Sequence, residues 1–138
     1  MIYVVIQFVC IIYLIMNAQF DHLDPLSYAL IALSVVIGIT AVINMKLDNL
    51  NIVPTLKDRH QLVTYGIYRF IRHPMYTSVL LLCLALTLTN SHYLAQLVMV
   101  ILFIDLILKS NLEEKLLNER FDSYQNYKNK TGRFLPFL

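Results

Sequence analysis

Residues 26–45 read LSYALIALSVVIGITAVINM, twenty residues with no charge and no proline. A helix needs about 20 apolar residues to cross a ~30 Å hydrocarbon core. Backbone polar groups have no water to bind there, so such a run is read as a transmembrane helix. Three more apolar runs lie around it, at 2–20, 75–89 and 93–108. The run at 2–20 reaches spanning length. The last two are shorter, which predicts tilting against neighbours or recessed inner ends. Residues 21–25 and 90–92 are short polar links, so each is expected to join a tight antiparallel pair. The fold class is therefore all-α integral membrane, with about four transmembrane helices in two antiparallel pairs. A longer segment at 46–74 separates the pairs, and a polar tail follows at 109–138.

The chain has 138 residues, of which 58% are hydrophobic and 14% charged. A soluble domain of this size needs more polar surface. One domain is expected, with a transmembrane hairpin at 1–45 and a polar-rich core at 46–138. A net charge of +2 is too small to imply a nucleic-acid partner. Cys10 and Cys83 sit in apolar runs with no ligand-forming neighbours, so they read as buried, inert thiols and no metal site is expected. No basic stretch precedes the first apolar run, and no small-residue cleavage site follows it. It reads as an uncleaved helix.

All eleven Lys and Arg residues fall in two places. Lys46, Lys57, Arg59, Arg69 and Arg72 lie in 46–74, and Lys109, Lys115, Arg120, Lys128, Lys130 and Arg133 lie in the tail. Excess Lys/Arg marks the cytoplasmic side. With four helices both segments reach that side together, so both termini are expected in the cytoplasm of a multi-pass protein. A bacterial inner membrane suits this bias.

The tail carries Leu112, Leu116, Leu117, Phe121, Tyr124 and Tyr127 at three- and four-residue spacing, with Glu113, Glu114, Glu119 and Asp122 between them. This predicts a cytosolic amphipathic C-terminal helix, capped by Ser110 or Asn111. A helix of this kind also serves as an interfacial anchor. Asp105 lies inside the fourth apolar run, where a carboxylate is a functional candidate by default. Lys109 lies four residues on, at ion-pair spacing, which offers a structural explanation. His22, His60 and His92 read as solvated loop residues. Gln7, Asn17, Asn44 and Gln96 read as interhelical hydrogen-bonding groups.

The densest polar cluster is YGIYRFIRHPMY, residues 65–76, directly before the third apolar run. Pro74 suits the first turn of that helix. Arg72 and His73 then lie at its N-terminus, where exposed N–H groups favour an anion. Arg72 adds a bidentate donor for carboxylate or phosphate. Arg69, Tyr65 and Tyr68 also fit plain interfacial anchoring. Glu113 and Glu114 return to the same face. Neighbours on a helix point about 100° apart, so one is expected in the site and the other in water.

The run LVTYGIYRFIRHPMY at 62–76 resembles the LVT-x-G-x-Y-x-x-x-RHP-x-Y signature of the isoprenylcysteine carboxyl methyltransferases and the related phospholipid methyltransferases. Glu113-Glu114, followed by Leu117, Phe121, Tyr124 and Tyr127, resembles their second signature. Gly132-Arg133-Phe134-Leu135-Pro136 is similar to their closing Arg-x-x-Pro. The likeness covers roughly residues 46–138 and departs at Ser78, where the family often has glycine. It implies a membrane-embedded methyltransferase that uses S-adenosyl-L-methionine and takes a lipophilic acceptor from the bilayer. Carried over by position, Gly66, Tyr68, His73, Tyr76, Glu113 and Glu114 would bind the cofactor. Arg72 would hold a carboxylate beside the acceptor, with Arg133 as its catalytic partner. Tyr127 would contact substrate and close the site with Arg133. A carboxylate acceptor is the first expectation, a phospholipid amine the second. A non-catalytic scaffold or lipid-binding protein of the same fold is the alternative.

Overall fold

Asp24 starts the second helix. Its carboxylate accepts a hydrogen bond from the Ser27 N–H at 2.8 Å, and Pro25 occupies the first helical turn. This hydrogen bonding holds the exposed Asp24 carboxyl below its ordinary range. The computed structural model describes residues 2–46, 62–89 and 92–137. Lys57, Arg59, His60, Asn90 and Ser91 lie outside the described residues. Among those described, the α-helices are α1 (Ile2–Met16), α2 (Pro25–Met45), α3 (Pro74–Leu88), α4 (Tyr93–Arg120) and α5 (Tyr124–Asn129). Short 3-10 turns occur at Phe20–His22 and Gly66–Arg69. No β-strand occurs among the described residues, only an isolated bridge between Ile71 and Gly132.

Among the described residues two helices are long and apolar enough to cross a membrane: α2 with 21 residues and α4 with 28. Only 17% of the apolar window of α2 is buried. Leu33, Val35, Val36, Ile39 and Ile43 are exposed on it. An apolar helix exposed this widely suits lipid rather than water. The first run is shorter than its hydropathy suggested. α1 stops at Met16 after 15 residues, about 22 Å. Asn17 turns back there, its side-chain amide donating to the Tyr13 carbonyl at 2.9 Å. The bond satisfies a carbonyl in the last turn of α1.

The amphipathic tail helix is corrected too. α4 passes from its apolar half into its polar half without a stop, because residues 93–120 contain neither Gly nor Pro. Ser110 does not cap a new helix. Its hydroxyl donates to the Ile107 carbonyl at 2.8 Å within α4. The turn comes at Phe121, and only the six-residue α5 follows.

Among the described residues the extensive contacts run between α2 and α3 and between α1 and α4. Small residues let α2 and α3 approach. A Cβ at Gly38 would lie 2.7 Å from Ser78 Oγ. Ser34 Oγ donates to the Ser78 carbonyl at 2.8 Å, and Ser78 Oγ donates to the Ser34 carbonyl at 2.7 Å. Such reciprocal bonds stand in for the hydrophobic drive that lipid does not supply. Ser78, the departure noted in the sequence, thus packs on α2. The main core joins Cys10 and Leu14 of α1, Cys83 and Leu86 of α3, and Leu102 and Leu106 of α4. Both thiols are free and buried, as expected.

At the other end of α2, Asn44 anchors the turn that leads to α3. Its side-chain oxygen accepts the Ile67 N–H at 2.9 Å, and its carbonyl accepts the Tyr65 hydroxyl at 3.0 Å. Gly66 has φ +63°, and a Cβ there would collide with the Asn44 side chain. Left-handed backbone costs an L-residue about 1–2 kcal/mol, and displacing Asn44 costs about 1 kcal/mol more. Gly66→Ala is therefore expected to destabilise the protein by roughly 2–3 kcal/mol, read as a lower midpoint in thermal denaturation.

Candidate active site

Pro74 begins α3, and the residues before it are held by the tail. The Arg72 N–H donates to the Gly132 carbonyl at 2.8 Å, and the His73 N–H donates to the Arg133 carbonyl at 3.0 Å. In return the Gly132 N–H donates to the Phe70 carbonyl at 3.0 Å. One helical turn on, Thr77 Oγ1 donates to the Phe134 carbonyl at 2.6 Å. Residues 70–77 and 132–134 thus form one unit. It packs against the polar half of α4.

Glu114 is the centre of this unit and only 4% exposed. Arg72 Nε donates to Glu114 Oε1 at 2.7 Å, and His73 Nε2 lies 3.0 Å from the same oxygen. Oε2 faces Arg133 Nη2 at 3.5 Å and Lys128 Nζ at 3.6 Å. Charged partners with good geometry offset the cost of burying this carboxylate.

Arg72 is more committed than its sequence position suggested. Besides Glu114, its Nη1 donates to the carbonyls of Thr131 at 2.7 Å and Lys128 at 3.0 Å. It therefore links α3, α4 and the tail. Arg133 is freer. Its Nη1 donates to Ser110 Oγ at 3.1 Å, and its side chain is 26% exposed.

Glu113 does not turn to water, as its helical angle had suggested. Its carboxylate accepts the Tyr76 hydroxyl and lies 3.7 Å from His73 Nδ1. The His73 ring stands between the two glutamates and reaches both. It stacks on Tyr76 with centroids 5.4 Å apart and planes within 5°. Phe134 from the tail closes edge-on against both rings.

Tyr68 and Tyr127 support this cluster from the side. The Tyr127 hydroxyl donates to the Tyr68 carbonyl at 2.7 Å. Burial pushes both phenols above their ordinary range, so both stay neutral donors at physiological pH. Gly66 stands apart, packed on Asn44. The structure thus brings together Arg72, His73, Tyr76, Glu113, Glu114 and Arg133, with Tyr68 and Tyr127 at their flank.

Four participants escaped the sequence reading. Thr131 and Lys128 meet Arg72 chiefly through backbone carbonyls, which carry no residue signal, and the Lys128 ammonium also reaches Glu114. Phe134 was visible only as part of the closing motif. Tyr124 was visible as an apolar stripe residue, yet its hydroxyl is buried with no hydrogen-bond partner among the described residues, and Glu114, Arg72 and Arg133 lie within its electrostatic reach. A buried hydroxyl without a partner is rare and makes Tyr124 a candidate ligand-binding group.

Lys109 corrects a further expectation. It does not bond to Asp105. Its ammonium donates to Gln7 Oε1 of α1 at 2.8 Å and lies 5.0 Å from the centre of the Tyr76 ring. Gln7 thereby makes the interhelical bond expected of it.

A cleft of about 510 Å³ opens beside Tyr127, lined also by Thr64, Arg69, Ser123, Lys130 and Thr131. That volume falls in the range of small-molecule sites. No group of three or more His, Cys, Asp or Glu suited to a metal occurs among the described residues.

Compared with known proteins, residues 25–124 match the family model described as phospholipid methyltransferase. The match takes in α2, α3 and α4 and ends at the start of α5. No curated protein and no solved structure matches.

Proposed function

This chain belongs to the phospholipid methyltransferase family, a family of membrane methyltransferases, and from that premise we propose that it transfers a methyl group from S-adenosyl-L-methionine to a membrane-soluble amine. The observation that carries the reading is the buried cluster of Arg72, His73, Glu114 and Arg133, with the Tyr76–Glu113 pair beside it. It unites both sequence signatures.

The residues present fit the cofactor. The unpartnered Tyr124 hydroxyl is one donor for it. Arg133, more exposed than Arg72, suits a carboxylate. Glu113 suits an ammonium or ribose hydroxyls. The cleft beside Tyr127 offers space next to the cluster. When bound, S-adenosyl-L-methionine supplies a methyl group activated by its sulfonium.

What the protein must add is position more than acid–base chemistry, since aligned reactants gain roughly 7–11 kcal/mol from proximity. The His73–Tyr76 stack and the Arg72 links hold the walls rigid. Tyrosine faces attract a sulfonium by about 0.5–2 kcal/mol.

The amine is favoured over the carboxylate because Arg72 Nε and Nη1 are already engaged within the protein. In the same reading α1–α4 all sit in the bilayer as antiparallel neighbours. The two 15-residue helices, α1 and α3, are then tilted or recessed, and the cluster faces the cytoplasm. Product formation on phosphatidylethanolamine beside a prenylcysteine analogue tests the proposal. Methylation of the phospholipid is expected, and methylation of the prenylcysteine alone would overturn the amine assignment.

A further inference from the structure

Asp105 lies in the apolar half of α4, about two turns before Glu113. It is 3% exposed, and both carboxylate oxygens are buried without a hydrogen-bond partner among the described residues. Lys109, the neighbour that could have paired with it, is bonded to Gln7. A carboxylate left alone in an apolar interior is costly and is retained where it acts.

We propose that Asp105 receives the ammonium headgroup of a membrane lipid and thereby sets the class of acceptor, an inference that rests on the methyltransferase reading above. Asp105 shares the buried face of α4 with Leu102, Leu106 and Lys109, and Tyr76 of α3 and Cys10 of α1 lie within its electrostatic reach. Lys109 is within electrostatic reach of both Asp105 and Glu113. Its ammonium is committed to Gln7 and leaves the Asp105 oxygens without a partner among the described residues. His73, the remaining titratable group at Glu113, also faces Glu114.

The walls suit a cation that gains methyl groups. The Lys109 ammonium, one turn after Asp105, lies 5.0 Å from the centre of the Tyr76 ring, Phe134 packs edge-on against Tyr76, and Phe103 packs edge-on against Phe134 at 6.2 Å. Aromatic faces attract substituted ammonium ions without needing N–H donors. The surroundings suit a lipid more than a soluble amine. Phe103 and Ile104, the residues before Asp105, are exposed on the apolar part of α4. A headgroup at Asp105 would leave its acyl chains along that surface.

Native mass spectrometry of the purified full chain tests this, with phosphatidylethanolamine, phosphatidylglycerol of the same chains and free ethanolamine as probes. Wild-type protein is expected to retain phosphatidylethanolamine at least tenfold better than the other two. Asp105→Asn is expected to erase that preference, with S-adenosyl-L-methionine affinity unchanged. Because the substitution removes an unpaired buried charge, the variant is expected to melt no lower than wild type. A preference that Asp105→Asn leaves intact overturns the proposal. Free ethanolamine binding as tightly as the lipid overturns the lipid assignment. A drop in melting temperature of more than about 5 °C, over a kcal/mol in a chain of this length, makes Asp105 a structural residue and overturns the proposal as well. Wild-type protein that shows the lipid preference but binds no S-adenosyl-L-methionine would instead sink only the methyltransferase reading.

Discussion

Glu114→Ala is expected to lower stability by about 3–5 kcal/mol and to abolish cofactor binding. The estimate follows from breaking a buried ion pair by removing one partner, which leaves the other charge uncompensated. The Arg72 side chain is only 9% exposed and has no second carboxylate within ion-pair distance among the described residues. Without Glu114, Arg72, Arg133 and Lys128 converge on an empty position and repel one another. Glu114→Gln is expected to cost less, because an amide oxygen still accepts from Arg72 Nε. Its cofactor affinity is nonetheless expected to fall at least tenfold. Chemical denaturation in detergent reads the first effect and ligand titration the second. A Glu114→Ala protein as stable as wild type would show that the ion-pair cluster contributes nothing to the fold.

Arg72→Lys is expected to release the tail even though the charge is kept. Lysine provides one compact ammonium, whereas Arg72 uses Nε on α4 and Nη1 on two tail carbonyls at once. Hydrogen bonds from charged donors contribute about 1.5–3 kcal/mol each, and the ammonium cannot make all three. A loss of roughly 3 kcal/mol follows. Its signature is local. Limited proteolysis is expected to cut between α4 and the end of the chain in Arg72→Lys at concentrations of protease that leave wild type intact. Equal protection of both proteins would mean that the backbone bonds between residues 70–73 and 132–133 suffice to hold the tail.

Hydropathy read the apolar helices well because their exposed faces are themselves apolar. It read their ends poorly. α1 stops at Met16 through a side-chain bond from Asn17, and α4 continues past Leu108 because nothing in its sequence breaks it. Neither fact shows in apolar content. The cluster itself was legible from two motifs: Arg72, His73 and Tyr76 do meet Glu113 and Glu114. What the sequence could not convey was the choice of partners. Lys109 stood at ion-pair spacing from Asp105 yet bonds to Gln7, about a hundred residues away in the chain. Arg72 looked like a free donor, but backbone carbonyls of Lys128 and Thr131 claim it. Carbonyl acceptors exist at every residue, so no pattern of side chains reveals which will be used. Ser78 looked like a flaw beside the site, and only packing shows that it faces Ser34 and Gly38 of α2.

The central claim is that the end of α3, the polar half of α4 and the tail together form a site for S-adenosyl-L-methionine. Isothermal titration of that compound into the purified wild-type protein, with Glu114→Gln alongside, tests it most directly. Saturable one-to-one binding, weakened at least tenfold in a folded Glu114→Gln protein, is the predicted result. Wild-type protein that is folded and takes up no S-adenosyl-L-methionine would contradict it.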